Sequence, residues 1–449
     1  MSKNKQRNIL WWSAIFIIIF LTHANHLLNP DEGVVLEGAW NLYNNKHLYF
    51  DFFEFIPPGS FYLILGIWKI VGVSYWAAKL ASILITFGTA VGIYLSARVI
   101  KPSNSNFVAP LIFALASPIL VLINHNIYNL FFIVYAVYFM FLALDRQNLK
   151  YYGLSGLFSG LAIIFLQQKG LALAAAMILF LFINSCRDYK KWLIYCLGII
   201  LTLLPLLLWP LKTIYYNLFI FPLFTYTGVN RITSIWLIIT FFIFAVIVYL
   251  LVTSKDKKIW LLLTVQFSLL LTTIPLPDYY HLVIATAPLL ILIEIVIEKI
   301  KLKKSLYAQR VYYYFLFLAL ILFLSKSCFY LITTYKPSFI RGSYKSLEII
   351  NQCPGKYIYI GPFAPNVYFE ARKLNATPYP FLITNQNTPA QFDEATKYLK
   401  AGQPSCAILN YPSSLQRFGY NKNNSVENYI REKYNLIFFD STTFIYRLK

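Results

Sequence analysis

Asp31 and Glu32 stand together just after an apolar run from Ile9 to about Leu28, in a chain of 449 residues with only 18 acids. A carboxylate at the edge of a membrane costs several kcal/mol unless compensated, so such groups are functional candidates by default. Two roles stay open on spacing alone. Asp31 could serve chemistry, or it could cap a helix starting at Gly33, where acidic charge is favoured. A further acid, Glu54, lies in the same stretch before Pro57 and Pro58, behind the aromatic residues Tyr49, Phe50, Phe52 and Phe53. Those rings could stack on a sugar, line a lipid groove, or belong to an interfacial aromatic belt. Lys169 sits in a tight Gln-Gln-Lys-Gly turn, where a snorkelling lysine is the competing reading. His125 and His281 fall at expected helix ends, where each could bond a sugar, hold a metal, or do neither.

The elements that position these residues are membrane helices. The chain is 58% hydrophobic and 13% charged, against about 25% charged residues in soluble domains. Its net charge of +21 is spread as short basic clusters between apolar runs, as the positive-inside rule requires. A nucleic-acid groove would gather them on one face, so nucleic-acid partners are not expected.

A span needs roughly 20 apolar residues, and that scale predicts helices near 9–28, 76–97, 107–124, 128–144, 151–167, 170–185, 192–209, 233–252, 259–275, 281–297 and 312–333. No small-residue cleavage site follows the first, which reads as a retained helix. With the N-terminus cytoplasmic, eleven spans place Arg98/Lys101, Arg146/Lys150, Arg187/Lys190/Lys191, Lys255/Lys257/Lys258 and Lys299–Arg310 on the cytoplasmic side. Counting 57–73 as a further span would flip every later loop. Parity therefore makes it a juxtamembrane or re-entrant helix within a first outer loop, 29–75, of a membrane module, 1–335.

From 336 to 449 the pattern becomes that of a small soluble α/β domain, exoplasmic by the span count. Short β-like runs at 357–361, 405–409, 436–439 and 443–446 alternate with helical stretches near 364–373, 390–400 and 425–433. Cys353 and Cys406 both lie in this region and could pair if it is exported.

The Asp-Glu pair after the first span, the short helix, and the aromatic run into Glu-x-x-Pro-Pro resemble the GT-C superfamily of membrane glycosyltransferases. The likeness is strongest to its bacterial protein-mannosyltransferase and aminoarabinose-transferase branch. Asn124-His125-Asn126-Ile127-Tyr128-Asn129, Gly160-Leu161-Ala162 with Gln168-Lys169-Gly170, and Pro277-Asp278-Tyr279-Tyr280-His281 follow in family order. The resemblance implies sugar transfer from a polyprenyl-phosphate donor to a lipid, glycan or protein acceptor at the exoplasmic face of the cell membrane. It implies Asp31 as general base of an inverting displacement, with Glu32, Glu54, Tyr280 and His281 binding substrate. Phe55 stands where the aminoarabinose-transferase branch has lysine, so Lys169, with Arg231 behind it, becomes the candidate phosphate-binding cation. A divalent metal, held by Glu54 or His281, is the one cofactor the likeness suggests.

Two other classes compete. A flippase or transporter of a lipid-linked glycan would show repeats and polar groups at the midplane, whereas here they gather at outer helix ends. A catalytically degenerate partner subunit would fit the loss of the lysine at Phe55.

Overall fold

The computed structural model describes residues 3–24, 28, 30–185, 187–226, 238, 241–242, 245, 256–273, 279–301, 305–333, 345–411, 415, 419–440 and 442–449. Along the first half of the chain run α1 (Lys3–Ala24), α2 (Pro30–Tyr43), α3 (Gly59–Val71), α4 (Tyr75–Ile100), α5 (Val108–Ala116), α6 (His125–Arg146), α7 (Leu149–Phe165), α8 (Gln167–Ser185), α9 (Tyr189–Leu203) and α10 (Leu211–Tyr215). The chain divides into two compact units.

The first unit comprises 1–26, 79–205 and 231–337. Helix α6 starts at Asn124, whose side chain accepts from the Asn126 amide, and stops at Gln147 in the left-handed conformation. Asn148 then caps α7. Helices α7 and α9 cross at near backbone contact: a Cβ on Gly156 would lie 2.0 Å from the Tyr195 carbonyl, and one on Gly198 2.5 Å from that of Gly153. Small residues of this kind let membrane helices approach closely, and interhelical hydrogen bonds add to the hold. Here Tyr195 donates to Ser159 at 2.8 Å, Ser155 to the Ala136 carbonyl at 2.8 Å, and Asn129 Nδ2 to the Ala162 carbonyl at 2.7 Å.

Among the described residues, five helices are long and apolar enough to cross a membrane: Lys5–Ala24, Tyr75–Ile100, His125–Arg146, Gln167–Ser185 and Tyr189–Leu208. The protein is an integral membrane protein. Leu149–Phe165, also expected to span, is a shorter apolar helix. Two other expected spans are interrupted where proline removes a backbone donor. The run at 107–124 becomes α5 and a 3-10 turn at Pro118, and that at 281–297 passes through a 3-10 segment containing Pro288. Most of the span expected at 233–252 lies outside the described residues.

The second unit comprises 27–78, 206–230 and 338–449, so the first loop shares a compact body with the C-terminal residues. A five-stranded sheet has the order β2-β1-β3-β5-β4. Its strands are β1 (Tyr357–Pro362), β2 (Leu374–Asn375), β3 (Cys406–Asn410), β4 (Tyr434–Phe439) and β5 (Thr443–Leu448). β1 pairs in parallel with β2 and β3, while β5 runs antiparallel between β3 and β4. Helix Pro389–Gly402 carries a capping box between Thr388 and Gln391. Cys353 and Cys406 form a disulfide, tying the end of helix Lys345–Asn351 to the start of β3. Two glycines bring α2 into place. A Cβ on Gly33 would lie 2.2 Å from the Asn366 amide, and one on Gly38 2.4 Å from the Phe61 ring of α3.

Candidate active site

Helix α2 begins at Pro30, so Asp31 and Glu32 are in its first turn. Asp31 is inside the helix rather than at its N-cap, and its side chain is exposed. Capping of a helix from Gly33 is therefore not its role, although a carboxylate in the first turn still favours the helix dipole. Glu32, next to it, turns inward and accepts a 3.0 Å hydrogen bond from the Tyr75 hydroxyl. The Asp31 charge is felt at Tyr226, whose hydroxyl is pushed up by burial and then by that carboxylate. The Tyr226 ring meets Phe55 at 4.7 Å between centroids, and Phe55 in turn meets Phe221 at 5.4 Å. The position where a lysine would stand is thus part of an aromatic wall near Asp31.

Deeper in the same unit lies a pair of buried acids. Glu54 is 1% exposed, and neither carboxylate oxygen has a hydrogen-bond partner among the described residues. Burial, with the Glu37 charge, holds its carboxyl well above the usual range. Glu37 accepts from Asn375 Nδ2 at 3.3 Å. Burial pushes it up to about 8, against the opposing pulls of Asn375, Lys46 and Asn41. Lys46 donates to the Asn375 carbonyl at 3.2 Å and sits over the Tyr357 ring. At both positions burial disfavours the charged carboxylate and favours the acid form, which can donate a hydrogen bond. Sequence reasoning singled out Glu54 and missed Glu37. Its one signal was an acid five residues after Glu32 in an otherwise apolar helix.

The aromatic residues before Glu54 divide. Tyr49 and Phe52 are core residues packed with Trp209, and the Tyr49 hydroxyl donates to the Ile56 carbonyl at 2.6 Å. Phe53 lies between Phe221 and Tyr379, while Phe50 is exposed.

In the first unit, Lys169 is the third residue of α8. At 3% exposure it is buried rather than snorkelling, and its Nζ donates to Asn126 Oδ1 at 2.6 Å. Asn126 is itself fixed by Asn124, which accepts from both its backbone and side-chain nitrogens. His125 is within electrostatic reach of Lys169 and His281, and the Tyr280 ring meets the His281 ring edge-on at 5.3 Å. Lys169 and His125 thus lie at the N-terminal ends of α8 and α6, with Asn126 holding the lysine. Arg231 lies outside the described residues. Among the described residues no three His, Cys, Asp or Glu converge as a metal site.

Residues 56–209 match the family described as dolichyl-phosphate-mannose-protein mannosyltransferase. No curated protein sequence matches the chain. Among solved structures, ArnT from Cupriavidus metallidurans bound to undecaprenyl phosphate superposes with a TM-score of 0.62 at 13% identity, covering 98% of each chain. The chain has the GT-C fold. The Archaeoglobus fulgidus oligosaccharyltransferase, tethered to an acceptor peptide containing the NVT sequon, also matches, with a TM-score of 0.54 at 12% identity. That match covers 98% of this chain and 74% of the oligosaccharyltransferase. Within the GT-C fold the likeness is to the mannosyltransferase and ArnT branch.

Proposed function

We propose that this GT-C chain is a glycosyltransferase that moves a sugar from a polyprenyl-phosphate donor to an acceptor hydroxyl at the exoplasmic face, with inversion. The observation that carries this reading is the end-to-end match to an ArnT structure holding undecaprenyl phosphate, combined with the exposed Asp31 in the helix that follows the first membrane helix. The Cys353–Cys406 disulfide supports an exported C-terminal region, because such bonds persist in oxidising compartments.

In this reading the acceptor oxygen attacks the anomeric carbon while its proton passes to the Asp31 carboxylate. The bond from that carbon to the phosphate oxygen breaks, and polyprenyl phosphate leaves with the electron pair, needing no proton. One displacement inverts the centre, so no second carboxylate acts as nucleophile. Glu54, whose burial favours the acid form, is suited to donate to a sugar oxygen. Lys169 is the candidate cation toward the donor phosphate, with Tyr280 and His281 as further donor contacts.

The test is sugar transfer by purified protein from a polyprenyl-phosphate donor. Asp31→Asn should stay folded and lose about 10²–10⁴ in rate, on the order of 3–5 kcal/mol of barrier. Glu32→Gln should have the milder effect. Near-normal transfer by Asp31→Asn sinks the assigned base, and no transfer by the unaltered protein moves the partner-subunit and flippase readings ahead.

A further inference from the structure

Four buried oxygens of the second unit have no hydrogen-bond partner among the described residues: Glu37 Oε2, Asn41 Oδ1 and both carboxyl oxygens of Glu54. An ionised carboxylate only accepts, whereas a proton on either acid turns an orphaned oxygen into a donor. Buried polar groups left unmet are costly, and more so when charged. The inventory of atoms therefore favours a protonated glutamate at this place.

The groups that face Glu37 leave the same balance. On α2 itself Asn41 stands one turn further along, and from β2 the Asn375 amide donates at 3.3 Å. In the loop after α2, Lys46 has its ammonium on the Asn375 carbonyl and over the Tyr357 ring. Helix Asn366–Glu370 brings the Tyr368 phenol, and the stretch before α3 brings Glu54, with the Tyr49 phenol beyond it. Helix α3 meets α2 through the Phe61 ring. Among the described residues the cation acting on Glu37 is Lys46, and one cation cannot neutralise two acids.

Glu37 lies six residues beyond Asp31 on the same helix, about 9 Å along its axis. The helix between them has no slack. A Cβ on Gly33 would lie 2.2 Å from the Asn366 amide nitrogen, and one on Gly38 2.4 Å from the Phe61 ring. Packing this tight shifts between discrete arrangements rather than yielding by degrees.

We propose that Glu37 is a positioning residue for Asp31: its acid form holds α2 in this seat, and loss of the proton unseats α2 and displaces the base. The part concerning Asp31 rests on the transferase reading, whereas the seating of α2 does not. Once charged, Glu37 faces Glu54 and the orphaned Asn41 oxygen, and water entry with a shift of α2 relieves the cost. Burial keeps the proton on Glu37 up to about 8, so the seated form prevails at neutral pH and gives way on the alkaline side.

The test is amide hydrogen exchange of the full chain in detergent from about pH 6.5 to 9.5, read by mass spectrometry and corrected for the intrinsic pH dependence of exchange. Peptides from α2 should lose about tenfold in protection between roughly pH 7 and 9, while those from α7 keep theirs. Glu37→Gln, which donates and accepts without titrating, should hold α2 protection level. Glu37→Asp, which keeps an acid, should retain the loss. In the transfer assay, with each protein scaled to its own maximum, the unaltered rate should fall with a midpoint near 8, and Glu37→Gln should lack that fall. Protection of α2 that ignores pH in the unaltered protein overturns the proposal. So does the same loss in Glu37→Gln, or an alkaline fall in transfer that this variant retains. Exchange as expected with no transfer by the unaltered protein upholds the seating and counts against the transferase reading instead.

Discussion

Within seven residues of the chain, burial separates acids of different chemical use. Asp31 is exposed in the first turn of α2, Glu32 is held by the Tyr75 hydroxyl, and Glu37 is enclosed with Glu54. Glu37 predicts a pH dependence whose sign follows from its shift. An unfolded glutamate loses its proton near pH 4.5, but the folded one keeps it until about 8. Between those values the folded state binds more protons, so stability is fullest below about pH 4.5 and falls as pH rises to about 8. The size is on the order of 4–5 kcal/mol before relaxation and water entry reduce it. Glu37→Gln should flatten that decline. Urea or thermal unfolding of both proteins in detergent from pH 5 to 8 checks it, and parallel pH curves would show that Glu37 is ionised in the fold. Asp31, Glu54 and Lys169 were legible in the sequence as polar residues in apolar surroundings. Glu37 and Tyr226 were not, because each matters through neighbours far along the chain: Asn375 for one and Asp31 for the other.

Among elements, local chemistry was most legible where turn and cap signals bound a short pattern. The strands expected at 357–361, 405–409, 436–439 and 443–446 occur within two residues of those limits, and the helix expected at 425–433 spans Ser425–Lys433. Strand β2, with two residues, is too short for an alternation signal and is set by its pairing with β1. Apolar runs reveal length but hide interruptions, so the 3-10 turn at Pro118 broke an expected continuous span. The α7–α9 crossing gives a sharper prediction. Gly156→Val places methyl groups where the Tyr195 carbonyl already sits, and the helices must separate, at about 3 kcal/mol or more. Gly66→Ala in α3, with nothing within 4 Å of its added Cβ, should be neutral or stabilise by roughly 0.5–1 kcal/mol. Comparing the two melting temperatures in detergent tests the crossing. An unchanged value for Gly156→Val would mean that α7 and α9 are not in backbone contact.

For the molecule as a whole, basic clusters and span parity predict a single orientation. Reporter fusions after Lys101 and Lys191 should read cytoplasmic, and one after Lys449 exoplasmic. A cytoplasmic reading at Lys449 would mean that the segment containing α3 crosses the membrane. At this scale the sequence was least transparent. Composition marks residues 336–449 as a body of their own, yet the unit that contains them also takes in 27–78 and 206–230. Those pieces are joined by contacts that no local pattern announces, such as the approach of Gly33 to Asn366.

That three-piece assembly has a consequence in time. Chains grow at about 5–20 residues per second, and Glu37 is separated by 338 residues from Asn375, its hydrogen-bond donor. Helix α2 therefore waits roughly 17–70 s after its own synthesis before that partner exists. Throughout this interval its inward face, including an acid destined to be neutral, is without its final covering. The second unit can therefore close only after the last strand of its sheet, β5, has been made.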